Sequence, residues 1–154
     1  MQNISITLDL ETTLTAVARC LNDLKQPWMI IGGTAMVLHG LEAGPVSDID
    51  IVVSKSVAAG LMQHLDVPNM ADTGSDRFRS DVLIQPQLGP LPVEIIGGFR
   101  IHTADGWQPV TPSNMDDITI SGQPVFVANR QRLIEIFELC GRPKDLERAA
   151  HLMR

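Results

Sequence analysis

Near the start of the chain, hydrophobic residues recur at the spacing of an amphipathic helix. They follow one another at steps of three and four residues and include Leu10, Leu14, Val17, Leu21 and Leu24. Thr7 or Asp9 is suited to cap the start of this helix, and Pro27 is expected to stop it. The apolar face predicts that the helix covers one face of a sheet.

A short apolar strand follows, and two glycines end it. Residues 29–31 are apolar, Gly32 and Gly33 break the run, and residues 34–39 have helical character. Glycines here let a phosphate approach the backbone without meeting a Cβ atom, and free amides at a helix start attract anions. Taken alone, such a glycine pair is more typical of a tight turn or a close packing contact between helix and strand. The segment matches neither a Walker A loop nor the dinucleotide-binding glycine pattern.

Two aspartates alternate with β-branched residues a short distance further on. Asp48 and Asp50 are surrounded by Ile49 and residues 51–53, which indicates a strand. Residues two apart on a strand project to the same side, so both carboxylates can reach one point. Carboxylate oxygens are the ligands that Mg²⁺ prefers. An exposed strand carries two such acids with little penalty, so the pattern alone leaves a structural role open.

Apolar runs and turn residues predict the later elements in this order: a helix from Ser54 or Ser56 through Leu65, a loop at 67–75, strands at 78–84, 91–96, 117–120 and 125–128, and helices at 130–140 and from Pro143 onward. The turn-rich connector at residues 85–90 predicts that the strands on either side form a hairpin. The second strand of that hairpin would present Glu94 beside the two aspartates. Asn129 is suited to cap the following helix, and the adjacent Asp116 and Asp117 are expected at the surface.

The predicted elements amount to a mixed sheet of about five or six short strands flanked by helices, in the α/β class or its α+β variant. The chain has 154 residues, of which 44% are hydrophobic, so we expect a single domain over residues 1–154. The sequence contains no internal repeat and no low-complexity segment.

Charge argues against an extended nucleic-acid partner. Twelve basic and 18 acidic residues give a net charge of −6, without the broad positive field that non-specific nucleic-acid binding needs. A local patch for a tRNA end would require six basic residues to converge: Arg77, Arg79, Arg100, Arg130, Arg142 and Lys144.

Cysteine and hydropathy patterns favour a cytoplasmic protein. Cys20 and Cys140 form no CxxC motif, and no secretory leader is recognisable, which predicts a reduced protein without structural zinc. No apolar run approaches the roughly 18 residues of a membrane-spanning helix, so no membrane association is expected. The scattered histidines, including His39, suggest no transition-metal site.

The glycine turn, the intervening helix and the alternating aspartates together resemble the nucleotidyltransferase superfamily with the DNA polymerase β-like fold. Gly32, Gly33, Asp48 and Asp50 fill that superfamily's signature, and Glu94 matches the third acid that a later strand supplies. The tail at residues 124–134 and 141–148 looks like that of small bacterial members, which include toxin-type and uncharacterised proteins.

The resemblance implies a nucleotidyltransferase fold and a metal-dependent enzyme that moves a nucleoside monophosphate from an NTP, expected to be ATP, to an unidentified acceptor hydroxyl, releasing pyrophosphate. The metal would be Mg²⁺, with Mn²⁺ as the alternative. The implied catalytic and metal-binding residues are Asp48, Asp50 and Glu94. The implied nucleotide-binding residues are Gly32, Gly33, Thr34 and Lys144. An antitoxin-like protein and a second copy of the chain are the partners considered.

Two departures from the resemblance support a different function. Many relatives place a basic residue shortly before the acids, where this chain has residues 43–47 without one, and many carry a lysine near Phe137, which is also absent. Positive charge near a triphosphate stabilises phosphoryl transfer. The alternative is therefore a catalytically weakened nucleotide-binding or protein-interaction module, within a toxin–antitoxin pair in one version.

Overall fold

A computed structural model of the protein describes residues 6–72 and 74–154. The described helices, α1 to α5, are Leu8–Asn22, Gly32–Leu38, Lys55–Leu65, Arg130–Cys140 and Pro143–Leu152. The described strands, β1 to β9, are Met29–Ile31, Ile49–Val53, Phe78–Arg79, Val82–Ile84, Val93–Gly97, Arg100–Thr103, Gly106–Pro109, Met115–Ile120 and Gln123–Ala128. No described helix is both long enough and apolar enough to span a bilayer.

The larger sheet has six strands in the order β4-β5-β2-β1-β9-β8. It is mixed: β2 runs parallel to β5 and β1 runs parallel to β9, whereas β1–β2, β4–β5 and β8–β9 are antiparallel pairs. The predicted mixed α/β sheet is therefore confirmed, as is the hairpin that joins β4 to β5. The two central strands, β1 and β2, are the ones that carry the glycine turn and the aspartates.

A second sheet, of three strands in the order β3-β6-β7, corrects the prediction of one strand over residues 78–84. The polar pair Ser80 and Asp81 divides that run, and the Asp81 carboxylate forms an ion pair with Arg100 at 3.1 Å. β3 pairs with β6, whereas β4 pairs with β5. Strands β6 and β7 were not predicted, although the Asp105–Gly106 dipeptide at the start of β7 is a hairpin signal.

Helix α1 has the predicted cap and a different end. The Leu10 N–H donates to Thr7 Oγ1 at 3.2 Å, but the helix ends at Asn22, well before Pro27. Leu24 consequently lies outside the helix and is 38% exposed, while the other four predicted core positions of the helix are buried. The predicted caps at Ser54 and Asn129 are present, since each side chain accepts a backbone N–H of the helix that follows. The loop predicted at residues 67–75 contains Thr73, which lies outside the described residues.

Strand alternation assigns the two faces of the central strands. Gly97 of β5 pairs with Val53 of β2 and faces α3, because a Cβ atom on Gly97 would lie 2.5 Å from the Ala58 Cβ. Residues two apart on a strand share a face, so Ile49 and Ile51 also point toward α3 and are fully buried. The residues between them, including Asp50, project to the opposite face, where the acids lie.

The packing of α3 on β5 predicts opposite effects for two glycine-to-alanine substitutions. Gly97→Ala should lower the free energy of unfolding by about 1–3 kcal/mol, because the new methyl group overlaps Ala58. Gly60→Ala, on the exposed side of α3 where nothing lies within 4 Å of a Cβ, should raise it by about 0.5–1 kcal/mol. Urea denaturation of both variants checks this, and a Gly97→Ala protein as stable as the wild type would contradict the packing.

Candidate active site

Three acids converge because of strand register. Asp50 of β2 lies directly opposite Glu94 of β5 in their parallel pairing, and Asp48 precedes β2 on the same side. All three line one cavity of about 690 Å³. Glu94 follows Asp48 by 46 residues and Asp50 by 44, and the fold brings the three acids together as the sequence predicts.

The acid cluster is electrostatically strained. The pKa of the Asp50 carboxyl is raised to about 7, first by burial and then by the negative charges of Asp48 and Glu94. A hydrogen bond with Glu94 acts in the same direction, and the positive charge of Arg142 opposes it. Gln85 donates its side-chain N–H to Glu94 Oε1 at 3.1 Å and so fixes that carboxyl group. The cluster therefore favours anything that supplies positive charge.

The first glycine of the turn is required by the backbone. Gly32 follows β1 with φ = +75°, a conformation that L side chains rarely adopt. A Cβ atom there would also lie 3.3 Å from Asp50 Oδ2. Gly32 therefore allows the chain to turn into α2 in contact with the acid cluster.

The second glycine has an ordinary backbone but borders the cavity. A Cβ atom on Gly33 would lie 3.4 Å from Nη2 of Arg148 and 3.9 Å from the Ala43 Cβ, both van der Waals contacts. Nothing in the fold therefore demands glycine at this position. Helix α2 has only seven residues, so its dipole alone is a weak basis for anion binding.

Thr34 lies beneath the aspartates. It is 2% exposed, and its hydroxyl donates to the backbone carbonyl oxygen of Asp48 at 2.8 Å. The hydroxyl therefore helps to hold Asp48 at the entrance of β2. Direct contact of Thr34 with phosphate stays a prediction.

Positive charge reaches the cavity mainly from α5. Lys144, predicted to bind nucleotide, is exposed and lines the cavity. Arg142 and Arg148 also line it, and neither was predicted from the sequence to belong to this site. The signal that identifies Arg148 is its four-residue spacing from Lys144, which places both side chains on neighbouring turns of one helix face.

Arg142 is fixed by a fully buried carboxylate. Its Nε donates to Asp145 Oδ2 at 2.6 Å and its Nη2 donates to Asp145 Oδ1 at 3.1 Å. The same carboxylate accepts the Arg142 backbone N–H at 3.2 Å and so caps α5. The Arg142 guanidinium also lies over the Phe78 ring, 5.0 Å from its centroid. Asp145 therefore holds the Arg142 guanidinium in position, with its positive charge near the acid cluster.

The six-residue basic patch required for a tRNA end is not formed. Arg79, Arg142 and Lys144 line the cavity with the acids. The other three are used elsewhere: Arg77 donates to the Cys140 carbonyl, Arg100 pairs with Asp81, and Arg130 donates to the Leu152 carbonyl.

Apolar side chains form another part of the cavity wall. Phe78 and Phe99 pack with ring centroids 6.0 Å apart, and Met70, Leu83 and Ile96 extend this surface. The sequence did not identify these residues because they come from different strands and a loop. The cavity can therefore accept an apolar or planar group near the charged residues.

Two further predictions concern polar residues outside the site. His39 is buried, with Nε2 2.8 Å from the Ala128 carbonyl oxygen, and it does not line the cavity. Asp116 and Asp117 are exposed on β8, as predicted. All three have structural or surface roles in the described structure.

Asp48, Asp50 and Glu94 suit a hard divalent cation, because their carboxylates supply oxygen ligands and negative charge in one strained cluster. Within residues 6–72 and 74–154, no group of three His, Cys, Asp or Glu side chains is close enough to hold a metal alone. Mg²⁺ is typically bound through one or two carboxylates, with substrate phosphates and water completing its coordination. Asp48 and Asp50 are the carboxylates that such an arrangement would use.

Comparison with known proteins identifies the fold. No family model and no curated protein matches the sequence. A Thermotoga maritima protein assigned provisionally as a nucleotidyltransferase is 18% identical, with 97% of this chain and 95% of that chain covered and a TM-score of 0.74. Lincomycin-bound LnuA, a lincosamide antibiotic adenylyltransferase, is 12% identical, with 99% and 98% covered and a TM-score of 0.58. The antibiotic-resistance factor ANT(2'')-Ia is 15% identical, with 93% and 81% covered and a TM-score of 0.55. The chain therefore has the nucleotidyltransferase fold, which its sequence resemblance predicted.

The strained acid cluster predicts that Asp50→Asn stabilises the metal-free protein as pH rises. The pKa of Asp50 in the folded protein lies above its value in the unfolded chain. The stability that protonated Asp50 contributes is therefore complete below about pH 4 and is lost as the pH rises through about 7. In EDTA, the melting temperature of the variant should exceed that of the wild type by more at pH 8 than at pH 5. Each kcal/mol that the substitution adds to the free energy of unfolding raises the melting temperature by about 2–4 °C in a chain of this size. Asp117→Asn is the control, and a difference that does not widen with pH would contradict the cluster's electrostatics.

Proposed function

We propose that this protein is a Mg²⁺-dependent nucleotidyltransferase that transfers a nucleoside monophosphate from an NTP to an acceptor hydroxyl. The observation that carries the proposal is the convergence of Asp48, Asp50 and Glu94 in a cavity that also contains the glycine turn and several cations. The nucleotidyltransferase fold of the chain supports the proposal. Fold alone does not define an activity, so the proposal rests on the site.

The reaction requires in-line displacement at the α-phosphorus. The acceptor oxygen forms a bond to that phosphorus, the bond to the bridging oxygen of the β-phosphate breaks, and pyrophosphate leaves with the bonding electrons. The hydroxyl proton passes to a carboxylate, and we assign this role to Glu94. Gln85 orients Glu94 for it through the 3.1 Å hydrogen bond.

Asp48 and Asp50 would hold the metal, and Glu94 is the third residue available to a second ion. When bound, Mg²⁺ would neutralise charge on the phosphates and on the entering and leaving oxygens. Thr34 and Gly32 prepare the aspartates for this role, since Thr34 holds the Asp48 carbonyl and Gly32 leaves room for the Asp50 carboxylate. Mn²⁺ has the same preference for oxygen ligands and is the alternative metal.

The nucleotide, which we take to be ATP, would bind along the glycine turn. Gly33 lacks a side chain where the cavity meets α2, and Lys144 supplies an exposed positive charge to the same cavity. The apolar surface around Phe78 and Phe99 is suited to a base or to the acceptor's own apolar part.

The acceptor is proposed to be a small molecule with a hydroxyl group. The cavity volume of about 690 Å³ lies within the range of small-molecule sites, and an extended basic surface is not formed by the six basic residues considered for a tRNA end. Antibiotics are the first acceptors to screen, because one protein of the same fold is a lincosamide antibiotic adenylyltransferase. An antitoxin-like partner, a homodimer and a cytoplasmic location remain hypotheses from the sequence.

The competing function is a nucleotide-binding module without turnover. Its main support was the absence of basic residues at two positions typical of the resembling family. Arg142, Lys144 and Arg148 supply cavity cations from α5 instead, which favours the enzyme. The two functions differ in one measurable product, because a binding module would release no pyrophosphate.

Replacing both aspartates should weaken metal-dependent nucleotide binding and abolish catalysis. We expect Asp48→Asn/Asp50→Asn to bind ATP with Mg²⁺ at least about tenfold more weakly than the wild type, because the carboxylates that attract the metal are removed. Titration calorimetry with ATP, GTP, CTP and UTP measures binding. A coupled pyrophosphate assay with candidate acceptors measures transfer.

The matched control is Asp116→Asn/Asp117→Asn, which removes two exposed aspartates from β8, away from the cavity. This variant should bind nucleotide like the wild type. Full activity in the Asp48→Asn/Asp50→Asn protein would overturn the mechanism. Nucleotide binding without pyrophosphate release for any acceptor tested would favour the non-catalytic module.

A further inference from the structure

Arg148 occupies a distinctive position among the cavity cations. It is half-buried on α5, and its guanidinium lies over the Phe137 ring of α4, 5.7 Å from the centroid. Its Nη2 would be 3.4 Å from a Cβ atom on Gly33. The guanidinium is thus fixed beside the glycine turn, on the side where that turn lacks a side chain.

The other cavity arginines differ from Arg148 in one respect each. Arg142 makes two hydrogen bonds to the buried Asp145 carboxylate, and Arg79, which lies over the Trp107 ring at 4.4 Å, is exposed. In contrast, the ion pairs found among residues 6–72 and 74–154 do not include Arg148. Its charge is therefore available to an anion that enters the cavity.

The helix pair holds Arg148 in place. Ala149 and Leu152 of α5 are buried in the core, and Phe137 on α4 is also buried, so the backbone beneath Arg148 is well anchored. Contact with the Phe137 ring further limits the movement of the Arg148 guanidinium. A fixed, planar guanidinium with several N–H donors is well suited to bind phosphate oxygens in pairs.

The acids make such a cation necessary. Asp48, Asp50 and Glu94 line the same cavity and repel a polyphosphate unless positive charge offsets them. A metal ion at the aspartates provides part of that charge. Arg148 provides a permanent positive charge near the turn, at a place different from the basic positions that the sequence lacks.

We infer that Arg148 is a polyphosphate-binding residue of this site and that it contacts the phosphates of the nucleotide in the gap beside Gly33. The identity of the ligand as a nucleotide rests on the proposed function. The anion site itself rests on the geometry of Arg148, Gly33 and Phe137.

The test compares charge removal at Arg148 with charge removal elsewhere. Arg148→Gln should bind inorganic tripolyphosphate and Mg²⁺–ATP about 10- to 100-fold more weakly, the loss typical of a charged hydrogen-bonding partner. Arg148→Lys should recover part of the affinity, because it keeps the charge and loses the planar fork. Arg19→Gln, on the exposed side of α1 and outside the cavity, should bind both ligands like the wild type.

A second variant tests the space beside Gly33, where the glycine turn has no side chain. Gly33→Ala should fold normally, because its Cβ makes only van der Waals contacts, but it should weaken tripolyphosphate binding by filling the space next to Arg148. Thermal unfolding establishes that each variant is folded. Loss of tripolyphosphate binding in folded Gly33→Ala and Arg148→Gln proteins would support the site.

The outcomes separate this inference from the proposed function. Wild-type affinity for both ligands in Arg148→Gln, with metal-dependent ATP binding still lost in Asp48→Asn/Asp50→Asn, would overturn the role of Arg148 alone. Tripolyphosphate binding that depends on Arg148 but not on metal or the aspartates would support Arg148 and count against the transferase. Absence of any polyphosphate binding by the wild type would overturn both.

Discussion

The opposition of Asp50 and Glu94 across the parallel β2–β5 pair is the constraint on which the site depends. Burial raises the pKa of the Asp50 carboxyl, and the negative charges of Asp48 and Glu94 raise it further. The surrounding structure maintains the contact: Ile51 and Ile95 pair beside it in the buried core, and Gly32 leaves space for the carboxylate. Register in the core therefore produces electrostatic strain at the cavity, and that strain favours binding of a cation.

The positive charge that offsets the acid cluster comes from the C-terminal helix α5. Asp145 is fully buried and orders both the start of α5 and the Arg142 guanidinium, so one carboxylate links helix capping to the electrostatics of Asp50. Packing of Phe137 against Arg148 adds a second link between α4, α5 and the cavity. The terminal helices are therefore part of the site as well as part of the core, and a substitution that disturbs their packing would change both stability and ligand affinity.

Local signals predicted the elements that rely on local physics. The helix after Asn129 follows from capping and has the predicted bounds, and the strands predicted at residues 117–120 and 125–128 each begin two residues earlier than predicted. The run 78–84 has the composition of one strand but divides between two sheets, because Asp81 pairs with Arg100 from a distant strand. Likewise Leu24 continues the helical spacing but lies beyond the end of α1. Such outcomes depend on tertiary partners, which spacing along the chain does not encode.

The same distinction applies to the site. Strand alternation and the β4–β5 hairpin predicted that the aspartates and Glu94 meet, although the parallel pairing of β2 with β5 is what sets Asp50 opposite Glu94. The position of Arg148, in contrast, depends on how α5 packs on α4. The absence of basic residues at two sequence positions suggested a catalytically weakened site. The electrostatic potential in a cavity, however, depends on where the charges lie in space and not on which segment supplies them. With cations present beside the glycine turn, a scaffold that had lost its ligand would retain the unfavourable carboxylate contact without compensation from bound metal or phosphate. The electrostatics of the cavity therefore favour a protein that binds a metal–polyphosphate ligand.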